Sequence, residues 1–222
     1  MADQAKGIPI AREGVPFVMG AAVPAMLAGL LGCKKVSLAL GTVACFAGWF
    51  FRNPSRTTPR GDDLILASGD GQVVAIKEEY EPRFIKDQSI RISIFLNLFD
   101  VHINRMPCAG TVVNMTYQPG QFINASESDA TVHNEQNALM IETSSKKKVL
   151  CVQVAGLLAR RIVCWVQPGE PAVAGERFGL IRFGSRMDTF FPVDSRVRAV
   201  SYTHLRAHET DSYLVCRLLL EK

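Results

Sequence analysis

Four short groups hold the side chains best suited to chemistry. They are "ASGDG" with Asp70, "FDVHINRMPCAG" with Asp100, His102, Asn104 and Arg105, "HNEQN" with His133, Asn134 and Glu135, and "RFGSRMD" with Gly184, Ser185 and Arg186. The last has an unusual setting. A Gly-Ser pair normally marks a turn, yet this one interrupts a run that reads as a buried strand, between Leu180-Ile181 and Phe190-Phe191. A neutral serine hydroxyl is a weak nucleophile and requires a base within hydrogen-bond reach. His102 and His133 are candidates for that base, and Asp70 is a candidate to orient and electrostatically support it.

Each group also has a plain structural reading. An aspartate between two glycines suits the first position of a tight turn. His102 ends a strand-like run and can be an ordinary hydrogen-bonded histidine. His133 sits in a polar loop, where exposure is the default, and Asn134-Glu135 can cap a turn. Arg186 can form an ion pair with Asp188. A metal site built from His102, His133 and Glu135 would need three ligands to converge, at a spacing that matches no zinc signature. His204 and His208 are four residues apart, but no acidic partner is near them in sequence. No metal is therefore expected.

The elements that must position these groups are mainly strands. "SIRISIFLNLF" alternates, placing Ile90, Ile92, Ile94, Leu96 and Leu98 on one face. "LILASGDGQVVAI", "GTVVNMTYQPGQF" and "ALMIETSSKKKVLCVQVAG" each read as strand, turn, strand. "GLLARRIVCWV" (156–166) is expected to open with a helical turn. Closely spaced short strands predict a mainly β fold, a compact β-sandwich or barrel over residues 53–200.

Residues 1–52 are different. Two uncharged runs, 15–32 and 36–51, flank "CKK". Each sits at the short end of the ~17–25 apolar residues that a membrane-spanning helix needs. Lys34 and Lys35 between them oppose a full double crossing, because loop lysines favour the cytoplasmic side. An apolar helical hairpin lying shallow in the bilayer keeps every basic group near one interface, with Trp49, Phe50, Phe51 and Arg52 as its anchor. "RNPSRTTPRGDD" (52–63) is a polar linker. The segment 201–222 breaks the period-two style and is expected not to be native to the fold.

The 222 residues carry a formal net charge of +4 and 48% hydrophobic residues. The mild basic balance suits an anionic membrane surface. No nucleic-acid motif is present, so nucleic acid is not expected as a partner. The six cysteines form no C-x-x-C pair and read as buried, reduced thiols in a reducing compartment.

Taken in order, Gly-Asp-Gly, Asp-x-His-x-x-x-Met-Pro-Cys-x-Gly, Asn-Glu and Phe-Gly-Ser resemble the short-form phosphatidylserine decarboxylases over roughly residues 7–200. "FFRNPSR" after the apolar hairpin and "AGLLARRIV" before the Gly-Ser pair extend the match. The resemblance implies a proenzyme that cuts itself between Gly184 and Ser185. Ser185 Oγ attacks the Gly184 carbonyl, an N-to-O acyl shift gives an ester, elimination leaves dehydroalanine, and hydrolysis leaves a covalent pyruvoyl group as the cofactor. An Asp-His-Ser arrangement of Asp70, His102 and Ser185 is implied for that cleavage. The long-form members have a second histidine where this chain has Arg105, a poor base because it stays protonated. The base therefore falls to His102, with His133 as a candidate assistant.

In the mature site, the resemblance implies a Schiff base between the pyruvoyl ketone and phosphatidylserine. Loss of carbon dioxide, reprotonation by His102 and hydrolysis then release phosphatidylethanolamine. Arg105, Arg186 and the basic linker are candidates to bind the substrate's phosphate or carboxylate. The implied partners are the lipid, the membrane and the two cleavage chains as a heterodimer, with the catalytic domain on the cytoplasmic side of the cell membrane. The competing reading is an inactive membrane-anchored β-domain, either a pseudoenzyme or a lipid-binding module.

Overall fold

A computed structural model describes residues 9–59, 61, 64–122, 133–156, 161–182 and 184–197, with the backbone of 204–205 and 218–220. The chain divides into two units, Asp3–Ser55 and Arg56–Lys222.

In the first unit a short 3-10 turn, Arg12–Gly14, leads into α1 (Val15–Leu30), and α2 (Lys34–Phe50) returns against it. Gly32 makes the reversal. Its φ of +78° is left-handed, which glycine adopts without penalty. Its N–H donates to the Gly29 carbonyl, and the Cys33 N–H donates to the Ala28 carbonyl at 2.8 Å, which satisfies the last carbonyls of α1. The two helices approach through small residues. A Cβ added at Gly29 would lie 3.1 Å from Ser37 Oγ, and Ala21, Ala25, Ala44 and Ala47 are buried. Outward-facing Phe17, Met26, Leu30, Leu38 and Trp49 are exposed. The stretch Arg12–Leu30, with a mean hydropathy of 1.5, is long and apolar enough to cross a membrane. At the end of α2, the Arg52 guanidinium lies 4.2 Å over the Trp49 ring. A cation on an aromatic ring suits a headgroup interface.

The second unit is mainly β, as the alternation predicted. Its strands, in chain order, are β1 (Leu64–Ile65), β2 (Gly71–Glu81), β3 (Asp87–Leu96), β4 (Ile103–Arg105), β5 (Gly110–Gln118), β6 (Gln136–Glu142) and β7 (Lys148–Ala155), then β8 (Ile162–Cys164), β9 (Pro171–Ala172), β10 (Arg177–Ile181), β11 (Ser185–Pro192), β12 (Ser195–Arg196), β13 (His204–Leu205) and β14 (Leu218–Leu220). An antiparallel eight-stranded sheet runs β13-β2-β3-β11-β7-β6-β5-β9. Smaller sheets run β4-β10-β8 and β1-β14-β12.

The main core lies between the large sheet and the β4-β10-β8 sheet. Ile92, Ile94, Leu96, Met187 and Phe191 from one meet Phe178 and Ile181 from the other. Each fully buried side chain of this size contributes about 1.5–3 kcal/mol relative to exposure. The opposite face of the large sheet carries a smaller cluster of Ala138, Leu150, Val152, Val154 and Phe190, packed by Phe84 and Ile85. Glu81 shapes the turn that brings those two residues over. Its carboxylate accepts the N–H groups of Arg83, Phe84 and Ile85 at 2.7–3.0 Å.

Two expected hairpins are built differently. Residues on either side of the Gly69–Gly71 turn enter different sheets, since β1 pairs with β14 and β2 with β3. Among the described residues 119–122, which follow β5 directly, no second strand forms. Gln121 instead forms a single parallel bridge with Asn134. The turn at 143–147 does join β6 to β7 as expected. The helical turn expected at the start of 156–166 falls mostly on 157–160, outside the described residues.

Candidate active site

Ser185 opens β11, a strand held between β3 and β7, opposite Leu96 on one side and Ala155 on the other. Side chains alternate along a strand, so Ser185, Met187, Thr189 and Phe191 share the face turned to the main core. Ser185 is fully buried. Its Oγ has no hydrogen-bond partner among the described residues. A buried polar group without a partner is costly, and such groups concentrate at sites of chemistry. Gly184, just before it, has φ +72°, a left-handed conformation that L side chains rarely adopt. An added Cβ there would meet nothing within 4 Å, so the resting structure requires glycine for its backbone conformation rather than for space.

His102 reaches this bond from the other sheet. It is buried just before β4, and its Nε2 accepts the Gly184 N–H at 3.1 Å. Its Nδ1 lies 3.1 Å from the Asp100 carbonyl. A ring that accepts at Nε2 and donates at Nδ1 is the neutral imidazole, the form able to take a proton. The loop before it is fixed by local bonds. Asp100 Oδ2 accepts the Asn97 N–H, Asn97 Oδ1 accepts the Phe99 N–H, and the Asp100 N–H donates to the Asn97 carbonyl. The Asp100 carboxylate thus shapes the loop, while its carbonyl orients the ring.

Asp70 lies in the turn before β2. A Cβ at Gly69 would sit 3.3 Å from Met187 Cγ and 3.5 Å from Leu96, and one at Gly71 would collide with the Phe95 carbonyl oxygen. The turn is therefore pressed against the β3 and β11 residues that flank Ser185. The Asp70 carboxylate is buried and accepts from Arg56 Nη2 at 2.7 Å. Arg105 is buried in the same neighbourhood. Its N–H bonds the Ser68 carbonyl, its Nη1 donates to the Gly175 carbonyl, and it stands opposite Arg177 across β4 and β10. Burial first, and then the nearby Arg177 and Arg56 charges, lower its pKa to about 10, with Asp70 pulling the other way. It stays a cation at neutral pH.

Asn134 is brought to the strand beside Ser185. Its Nδ2 donates to the carbonyl of Ala155, the strand partner of Ser185, at 2.7 Å. Glu135 is buried beside Asn134 and accepts from the Tyr117 hydroxyl, while His133 is exposed. Arg186 is placed elsewhere. It is the neighbour of Ser185, so its side chain points to the opposite face of the sheet. There its Nε and Nη2 clasp Asp188 at 2.9 and 3.0 Å. Arg91 Nη1 lies 3.6 Å from the same carboxylate and bridges to Glu79. The ion pair of Arg186 with Asp188 is buried. Replacing Asp188 by Ala, which removes the buried carboxylate shared by Arg186 and Arg91, is expected to cost about 3–5 kcal/mol, checked by urea unfolding.

A buried amide chain escaped the sequence reading. Asn137 Nδ2 donates to Gln153 Oε1, and Gln153 Nε2 donates to Asn104 Oδ1 at 2.8 Å. It ties β6 and β7 to β4, two residues beyond His102. Gln153 inside "VLCVQVAG" was the signal: a polar residue in a run of buried ones must have a partner. The Cys108 and Cys151 thiols are buried, and burial pushes Cys108 up to about 12 and Cys151 up as well, so both remain protonated and inert. Among the described residues no group of three His, Cys, Asp or Glu side chains is arranged to hold a metal ion.

The family model for phosphatidylserine decarboxylase matches residues 43–211, which include Asp70, His102, Gly184 and Ser185. Among similar proteins, the phosphatidylserine decarboxylase proenzyme of Syntrophus aciditrophicus is 40% identical over 202 residues, 90% of this chain and 95% of that one. The proenzyme of the same name from Nitrosomonas europaea is 42% identical over 201 residues, 90% of this chain and 93% of its own. That of Magnetococcus marinus is 45% identical over 190 residues, 85% of this chain and 87% of its own. A neutral, buried histidine on a left-handed glycine, one residue before a buried serine, thus lies within a match that spans most of the chain, and the chain belongs to the phosphatidylserine decarboxylase family.

Proposed function

We propose that this protein decarboxylates phosphatidylserine to phosphatidylethanolamine, using a pyruvoyl group that it makes from Ser185 by cutting its own Gly184–Ser185 bond. The observation that carries the reading is the contact of neutral His102 Nε2 with the Gly184 N–H at 3.1 Å, beside a buried Ser185 hydroxyl with no partner among the described residues. His102 takes the Ser185 Oγ proton as Oγ bonds to the Gly184 carbonyl carbon. The C–N bond then breaks, and the Ser185 nitrogen takes the proton. Loss of the Ser185 Cα proton expels the Gly184 carboxylate. Water then replaces the nitrogen as ammonia and leaves the carbonyl group.

The residues around position 185 fit such a group. The site is fully buried at the mouth of a central strand, so bulk water is held away from a reactive carbonyl. When formed, the group supplies a ketone that takes the substrate amine and an adjacent carbonyl that accepts electrons. The chain's own residues do the rest. His102 holds and returns a proton, Asn134 fixes the Ala155 carbonyl beside position 185, and Arg105 offers a permanent cation to the substrate's acidic groups.

The membrane hairpin gives a catalytic unit on the cytoplasmic side access to a substrate that resides in the bilayer. The two cleavage chains stay together because β11 remains paired on both edges. The test is a vesicle assay. Purified protein with phosphatidylserine vesicles is expected to release carbon dioxide and form phosphatidylethanolamine, and borohydride added during turnover is expected to stop it. No carbon dioxide from fully cleaved protein sinks the activity and favours a lipid-binding module.

A further inference from the structure

Arg56 is the residue at which the polar linker becomes part of the β unit. It does not face solvent. Its side chain is 12% exposed, and its Nη2 lies 2.7 Å from an Asp70 oxygen that belongs to a carboxylate side chain only 7% exposed. An ion pair in this setting is not a surface contact of small consequence. Both charges have given up water, so each depends on the other. The Asp70 turn is in turn pressed on Met187 and Leu96, the neighbours of Ser185 on its own strand and across the sheet.

We infer that Arg56 is a positioning residue for self-cleavage, acting through Asp70. The inference rests on the proposed self-cleavage and on Asp70 being the acidic member of its Asp-His-Ser arrangement, as the resemblance implies. Arg56 holds one oxygen of the Asp70 carboxylate, and a cation at that distance favours the charged form. Among the described residues, Arg56 from the linker bonds Asp70 and the charge of Arg105 from β4 acts on it, with Arg177 from β10 opposite Arg105. Arg105 Nη1 is engaged by the Gly175 carbonyl, and the 2.7 Å bond to the carboxylate comes from Arg56. The linker that carries the membrane hairpin is thereby a working part of the maturation site.

The experiment follows cleavage of freshly made full-length protein over pH 5–9 by gel, for the wild type, Arg56→Ala and Arg56→Lys. Arg56→Ala is expected to slow cleavage at neutral pH by about tenfold or more. Its acid limb is expected to move to higher pH, because a carboxylate that loses its cation takes up a proton more readily. Arg56→Lys, which keeps the charge, is expected to keep the acid limb near the wild-type position. Ethylguanidinium added to Arg56→Ala is expected to restore part of the rate.

An Arg56→Ala protein that cleaves at the wild-type rate and pH profile overturns the inference. So does one slowed equally at every pH, with no rescue, since that is a folding defect. If Arg56→Ala does not accumulate, Arg56→Lys decides: an acid limb kept in place supports the role, and a limb displaced upward despite the retained charge ends it. If the wild type itself does not cleave, the self-cleavage reading fails instead, so the two failures are distinct.

Discussion

Changing Ser185 to Ala is expected to leave a single full-length chain with no decarboxylase activity, where the wild type yields one fragment ending at Gly184 and a small one starting at position 185 with a blocked amino terminus. The side chain lost is a single oxygen, buried and without a partner among the described residues, so its removal strands nothing. A hydroxyl deleted from such a place costs little stability, and thermal unfolding of the variant is expected to stay within about 1 kcal/mol of an uncleaved wild type. Activity falls to background, a loss on the order of 10⁶-fold or more if the protein accelerates its reaction as enzymes typically do. Intact-mass measurement checks both halves. An unbroken wild-type chain that still decarboxylates lipid would remove the basis of the mechanism.

The second large effect is expected at His102. His102→Ala removes the Nε2 that accepts the Gly184 N–H and the Nδ1 that meets the Asp100 carbonyl. General-base assistance contributes about 10²–10⁴-fold to a typical reaction, and the half-time of cleavage is expected to lengthen by that factor. His102→Gln retains a hydrogen-bonding side chain but no base, so it is expected to be slow as well while unfolding at a temperature close to the wild type. His133→Ala is expected to cleave normally, because His133 is exposed and its backbone carbonyl, not its ring, is what holds Gln121. Fast cleavage in His102→Gln with slow cleavage in His133→Ala would transfer the role to His133.

The period-two run around Ile92 and Ile94 predicted a half-buried strand, and β3 is that strand, its inner face in the main core. The uncharged runs on either side of Lys34 predicted a helical hairpin, and α1 and α2 form it around Gly32. The turn at Gly69–Gly71 was also foreseen, but not that β1 and β2 go to different sheets. A turn signal reports a local change of direction, whereas strand pairing depends on partners more than a hundred residues away, as β1 finds in β14. Arg186 was a candidate for the substrate's phosphate or carboxylate because a guanidinium can bind either with two hydrogen bonds. Adjacent residues on a strand face opposite ways, and the pleat sends it to Asp188.

The amino-acid order alone carried the chemical types: a Gly-Ser bond within a strand-rich stretch, a histidine close to another such stretch, an aspartate between glycines, and an apolar pair of helices ahead of them. Local rules suffice for these, because turn preference, alternation and hydrophobic run length are properties of near neighbours. Tertiary packing decided which of them meet. It set His102 against Gly184 across eighty-two residues, gave Asp70 the linker's Arg56, and left His133 in solvent. Such contacts depend on the register of one sheet over another, which is fixed when the buried faces of β4, β10 and β11 close on a shared core rather than by any single segment.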